Sequence, residues 1–546
     1  MKETRKLFDK LKNYSNSDYY AFHMPGHKRN LDLMDGTSPY RIDITEIDGF
    51  DDLHHAEGIL KEAQERAARV YHASETHFLV NGSTVGILSA ILGTTEKGDS
   101  ILVARNCHKS VYHAIYLNEL DPVYLYPKFD TELGLSTEID VADVQKALEE
   151  HPKIRAVMIV SPTYDGVVSD VEKIAEIVHA AGCPLIVDEA HGAHFGFDPY
   201  FPKSANVYGA DLVINSLHKT LPTLTQTALL HVNGEFVNRE KVKRYLDMLQ
   251  TSSPSYILMA SIDACIGLLE ETQEKDFQED LSEKQLGVIS DYKYKNIFSE
   301  YAARIDTLRK ELKELKYLKI IQTESIDRYD RSKFVISVKH APMSSHELYE
   351  ILLHKYHLQM EMLAGTYVLA MTTAGDTQEG LDRLRDALLA IDTELDTELE
   401  HDAELAVKTE QEDGNPNQVK GSNLPDNIDT DLPLSGRQPS LEKAWTIAEA
   451  VNRRDKMQRQ SCQKETDSQD IVYFGHPGKM EKRSFEDSIG YISLEYAYLY
   501  PPGSPLIVPG ERITKEAVEI LHWYQEHDFS IEGLQSEDGI EVWIDG

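Results

Sequence analysis

The chain has 546 residues, 41% hydrophobic and 27% charged, with a formal net charge of −36; that length exceeds what one core carries and predicts about two to four domains. The acidity argues against nucleic acid, whose phosphates it would repel, and favours encounter with cationic small molecules. The four cysteines, Cys107, Cys183, Cys265 and Cys462, form no CxxC pair, and neither an apolar leader nor a long uncharged run stands out, so a reducing, cytoplasmic setting away from membranes is expected.

Residues 1–40 read as an N-terminal segment carrying "PGHK", and 41–275 as a large domain. Within it "GILKEAQERAARVYHA" is expected to keep Ile59, Leu60, Ala63, Ala67, Val70 and Tyr71 on one helical face. "THFLVNGSTVGILSAI" is an apolar run, a Gly-containing break and a helix. "SILVARN", "AVMIVSPTYDG", "CPLIVDEAHG" and "ADLVINSLHK" are further strand-length runs. In "SDVEKIAEIVHAAG", Ser169 and Glu172 read as a capping box and Gly182 as a C-terminal stop. Strands that are apolar throughout, alternating with helices, predict an α/β fold with a mainly parallel sheet covered on both faces. Residues 276–395 read as a smaller α+β domain, with helical "ARIDTLRKELKEL" and strand-like "FVISVKH" and "YVLAMTT". Residues 396–438 read mostly as a flexible acidic linker, its first part able to continue the preceding helix. Residues 439–546 regain order as an α+β tail domain.

In a parallel α/β sheet, ligands gather beyond the carboxyl ends of the strands, so the residues after each run carry the functional reading. After "HFLV" come Asn81, Gly82, Ser83 and Thr84, which suit either a phosphate at a helix N-terminus or a plain tight turn. After "ILVARN" comes His108, able to stack on a planar ring or to serve as an ordinary solvated residue. After "PLIV" come Asp188, His191 and His194. A carboxylate at a buried strand end needs a partner; it could join the two histidines on a metal, hold a protonated ring nitrogen, or cap a helix. After "DLVIN" come Ser216, His218 and Lys219. A metal hydrolase leaves that lysine without a job. A phosphorylated aldehyde cofactor, pyridoxal 5'-phosphate (PLP), gives every piece one: Lys219 forms the Schiff base, Asp188 meets the pyridine nitrogen, and Ser83, Thr84, Ser216 and His218 reach the phosphate.

With these motifs in that order, the chain resembles the Orn/Lys/Arg decarboxylases, PLP enzymes of the aspartate-aminotransferase (type I) fold. The resemblance rests on "FHMPGHK" (22–28), "DDLHHAEG" (51–58), "NGSTVG" (81–86), "RNCHKS" (105–110), "SPTYDGV" (161–167), "VDEAHGAH" (187–194), "SLHK" (216–219), "TSSPSY" (251–256) and "YPPGSPLIVPGE" (500–511). It implies that Lys219 carries the cofactor, Asp188 partners the pyridinium, His108 stacks on the ring and His191 lines the pocket beside it. It implies that Glu495 contacts the substrate and that the site is shared between two subunits, hence a homodimer or larger. It also implies the short, biosynthetic form, without the N-terminal wing of the inducible enzymes.

The expected reaction is α-decarboxylation of arginine, lysine or ornithine to a polyamine-type amine and CO2, with arginine favoured because short-form relatives are often arginine enzymes. Asp165, Glu495 and Glu46 are the candidate carboxylates for the substrate's distal cation. The competing readings are another type I PLP reaction (transamination or an aldolase-like cleavage), a metal hydrolase on Asp188, His191 and His194, and a catalytically silent regulator.

Overall fold

The apolar runs meet side by side in one seven-stranded sheet. Its order is Glu75–Leu79, Ala228–Val232, Leu212–Asn215, Leu185–Asp188, Ile154–Val160, Ser100–Ala104, Asp121–Leu125. Ala228–Val232 is antiparallel to both neighbours, and the other strands run the same way. In this computed structural model the described residues are 17–22, 28, 42–273, 297–321, 328–412, 437–464, 478–500 and 503–545.

A strand with apolar residues at every position must be covered on both faces, and two large clusters of buried side chains flank this sheet. The helix Gly82–Thr94 is buried along most of its length. Its glycines explain how close it lies: a Cβ on Gly86 would stand 2.7 Å from Leu79 Cδ1, and one on Gly93 would stand 2.5 Å from a methyl of Val242. The helix Val171–Ala180 starts differently from the expectation. Asp170 caps it, accepting from the Lys173 amide. Ser169 turns away to accept the Ile139 amide at 3.1 Å, so no capping box forms with Glu172. Gly182 closes the helix with φ of +76°, a left-handed conformation that glycine adopts without penalty.

The smaller domain is a four-stranded antiparallel sheet, ordered Lys319–Ile320, Lys333–Ser337, Tyr367–Met371, Met362–Ala364. The N-terminal strand Tyr20–Phe22 pairs in parallel with Leu358–Met360 beside this domain. Lys28, the last residue of "PGHK", is buried and donates to the Met371 carbonyl at 2.7 Å; residues 25–27 of that motif lie outside the described residues. The helix Gln378–Glu412 continues through the opening of the segment read as acidic linker. Its Ala, Leu and Glu content favours a helix despite the charge. Residues 413–436 lie outside the described residues.

The C-terminal part holds two three-stranded sheets and the helices Ile447–Lys464 and Lys515–Glu526, with two apolar clusters of its own. It does not stand apart, because Ile447 and Val508 belong to a core cluster of the seven-stranded sheet. Cys107, Cys183 and Cys265 are buried free thiols. No helix among the described residues is long and apolar enough to cross a membrane.

Candidate active site

A cavity of about 310 Å³ opens at the carboxyl ends of the parallel strands. Ser83, Thr84, His108, Asp165, Asp188, His191, Ser216, His218 and Lys219 all line it. The topology explains the gathering: these residues follow or end different strands, and parallel strands deliver their ends to one edge.

Asp188 is the last residue of its strand and is buried. One oxygen accepts the Ala190 amide at 3.1 Å. Burial pushes its carboxyl above the ordinary value, and the charge of Lys219 opposes that push. Lys219 lies in the single turn Leu217–Thr220 after the neighbouring strand. Burial lowers the pKa of its amine, against the attraction of Asp188, which moves a lysine toward the nucleophilic, uncharged form. Its Nζ stands 2.9 Å from His191 Nε2.

One end of the cavity is rich in hydrogen-bond donors. No side chain caps the helix Gly82–Thr94, since the Asn81 amide oxygen instead accepts from the Thr251 amide. An uncapped N-terminus keeps its unsatisfied N–H groups and the positive end of the helix dipole. Ser83 and Ser216 are hydrogen-bonded to each other through their hydroxyls. His218 Nδ1 donates to the Thr227 carbonyl at 2.9 Å, which leaves Nε2 as its other ring nitrogen. A helix start with clustered hydroxyls and an imidazole is a donor set that fits a phosphate.

His108 caps the helix Lys109–Leu117, its Nδ1 accepting the Ser110 amide at 3.3 Å. Desolvation, reinforced by Lys219, holds its imidazole down at about 4, so the ring is neutral near pH 7 and suited to stacking. His191 sits between two amines, with Lys333 Nζ 3.5 Å from Nδ1. Burial and the two lysines keep its ring well below the ordinary imidazole value.

The metal reading fails on geometry. His194 turns away to Asp330 at 3.1 Å and packs edge-on against Phe195 and Phe201, while His191 faces the two lysines. Among the described residues no three His, Cys, Asp or Glu side chains stand so as to hold a metal.

The carboxylate candidates separate. Asp165 lines the cavity, accepts a hydrogen bond from the Tyr367 hydroxyl, and is pushed up to about 6 by burial. Glu495 does not line it. That side chain is buried in the C-terminal part, bonded to Arg454 at 3.0 Å and accepting the Gln535 and Glu541 amides. Glu46 is exposed and outside the cavity. Of the far wall, sequence reasoning reached only Asp165: it missed Tyr164, Ser136 and Tyr367, Gln438 at the end of the segment read as linker, and Ser504 and Tyr524 of the C-terminal part. Only "TYDG" and "PPGSPL" offered any local signal for them.

The chain matches the family model of the Orn/Lys/Arg decarboxylase major domain over residues 5–330, and that of the C-terminal domain over residues 452–542. It is 33% identical over 528 residues to the protein YaaO of Bacillus subtilis (strain 168), an alignment covering 94% of this chain and 93% of that one. It is 29% identical over 538 residues to an arginine decarboxylase of Bacillus anthracis, covering 96% and 94%. Among solved structures, the constitutive lysine decarboxylase of Escherichia coli aligns with a TM-score of 0.67 at 19% identity, covering 100% of this chain and 82% of that one.

Proposed function

Since the chain belongs to the Orn/Lys/Arg decarboxylase family and is thereby a decarboxylase of a basic amino acid, we propose that it acts on arginine and works with PLP held at Lys219. The observation that carries this reading is the convergence of Lys219, Asp188 and the uncapped helix N-terminus on one cavity. Lys219 would hold the aldehyde carbon and Asp188 the ring nitrogen. His108 would face the ring, and Ser83, Thr84, Ser216 and His218 would hold the phosphate. When bound, the group supplies an electron sink for the pair left as the Cα–carboxylate bond breaks.

The chain's own residues do the rest. The lowered basicity of Lys219 keeps its amine available for attack, and His191 Nε2, 2.9 Å away, can take or return a proton at Nζ. Asp188, fixed by the Ala190 amide, would meet a cationic ring nitrogen as its carboxylate partner. Asp165 offers the substrate's distal cation a carboxylate steadied by Tyr367. The mostly apolar lining would favour loss of a charged carboxylate.

Support for arginine comes from the arginine decarboxylase that aligns along almost the whole chain. The test is incubation of the purified protein and cofactor with arginine, lysine and ornithine separately. Release of CO2 and the matching amine from arginine above the other two is expected. Keto acid without CO2 would sink the reading in favour of transamination. A cytoplasmic homodimer contributing to polyamine synthesis completes the proposal. The exposed Ile42, Ile47 and Phe50 support the second copy, and sedimentation of a single-chain mass would remove it.

A further inference from the structure

Arg105 follows the strand Ser100–Ala104 and precedes His108 by three residues. Its side chain and that of Glu511 are each 1% exposed, and they meet at 2.8 Å. The same guanidinium nitrogen also donates to the Leu506 carbonyl at 3.0 Å. The guanidinium lies over the Tyr124 ring, 4.7 Å from its centroid. Glu511 is fixed in turn, its Oε2 accepting the Val508 amide at 2.9 Å. The main chain of the same loop is tied as well. The Arg105 amide donates to the Leu125 carbonyl, and the Arg105 carbonyl accepts from the Tyr112 hydroxyl, both at 2.7 Å. The Asn106 carbonyl accepts from Ser504 Oγ at 3.3 Å. Both residues that contribute side chains to this seat from the far side, Glu511 and Ser504, belong to the C-terminal part.

A buried ion pair is poor evidence for stability, because apolar side chains of similar volume often hold such a place as well or better. What the pair supplies here is direction. One terminal nitrogen of the planar guanidinium ties the Arg105 side chain to both the Glu511 carboxylate and the Leu506 carbonyl, a direction that packed methylenes do not define. We propose that Arg105 and Glu511 are positioning residues, through which the C-terminal domain holds the Arg105–His108 loop and thereby the His108 ring at the cavity. This rests on the reading of His108 as the residue that faces the cofactor ring.

The test uses the full chain with Arg105→Met and Glu511→Met combined. Each single substitution leaves a lone buried charge and is expected to unfold the domain contact; the double substitution removes both charges and is expected to melt with the wild type. In the cofactor-free double variant, amide hydrogen exchange over residues 105–110 should quicken at least tenfold, with residues 100–104 unchanged. In the loaded variant the visible circular dichroism of the cofactor should change, and kcat for arginine should fall at least tenfold with KM moving less. Arg105→Lys keeps the charge without the planar guanidinium over Tyr124 and should show the same changes to a smaller degree. Wild-type exchange and wild-type dichroism in either folded variant would overturn the proposal. A wild-type protein that fails to take up PLP would defeat the cofactor reading instead, and leaves the exchange result to judge the seat by itself.

Discussion

The floor of the cavity and its far wall are built differently. The floor consists of Ser83, Thr84, Asp188, Ser216, His218 and Lys219, each next to the end of a strand in one sheet. The far wall draws on Ser136 and Asp165 of the large domain, Tyr367 of the small sheet, and Ser504 and Tyr524 of the C-terminal part. A floor set by a parallel sheet is fixed once the sheet forms. A wall assembled from three regions depends on how those regions dock. The floor therefore suits the chemistry common to a large class of enzymes, and the wall suits the choice of substrate.

Substitutions can break or sharpen that division. Lys219→Ala on the floor should abolish the absorbance of the attached cofactor and lower turnover by at least about 10³-fold; wild-type turnover would end the division at once. Asp188→Asn keeps the shape and removes the charge, so kcat should fall about 10²–10³-fold for arginine, lysine and ornithine alike. A loss confined to one substrate would mean that the floor also selects.

On the wall, Asp165→Asn should lower kcat/KM for arginine by about 10–100-fold, with kcat less affected. The carboxyl titrates at about 6, so the wild-type KM should rise as pH falls through that value, and the variant should lose this dependence. The stability sign follows. The folded-state value lies above the ordinary 3.8, so its stabilising contribution is complete below 3.8 and is lost as pH rises through about 6. The Asn variant should thus melt higher than the wild type at pH 8, measured by calorimetry. Glu495→Gln carries the smallest functional effect: kcat and KM should stay within about twofold, while stability drops by about 1–3 kcal/mol through the weakened Arg454 contact. A large KM change there would move the wall's boundary.

The same division marks what was legible in the sequence. The strand ends could be read because near-continuous apolar runs define them, and the topology rule turns those ends into neighbours. Asp165 was reachable because "SPTYDG" directly follows a run. Ser136, Tyr367 and Tyr524 left no such mark, since each reaches the cavity by docking rather than by local chain direction. Glu495 illustrates the opposite error. Its distance along the chain from "YPPG" says nothing of the face it occupies, and the Gln535 and Glu541 amides claim its carboxylate. The start of the acidic segment was ambiguous for a different reason, with helix propensity and charge repulsion pulling apart and propensity winning to residue 412. Asp170 displaced Ser169 as helix cap because Ser169 had another amide to satisfy.

The strand Tyr20–Phe22 has a consequence for how this protein is made. Its partner strand is Leu358–Met360, and the Tyr20 hydroxyl bonds to Asp376, 356 residues along the chain. A ribosome adding 5–20 residues per second needs on the order of 20–70 s to deliver that partner. Through that interval Phe22, fully buried in the finished molecule, and the unpaired edge beside it stand open to other nascent chains. A holding chaperone that recognises short apolar segments should be needed most by a segment that emerges this long before its partner.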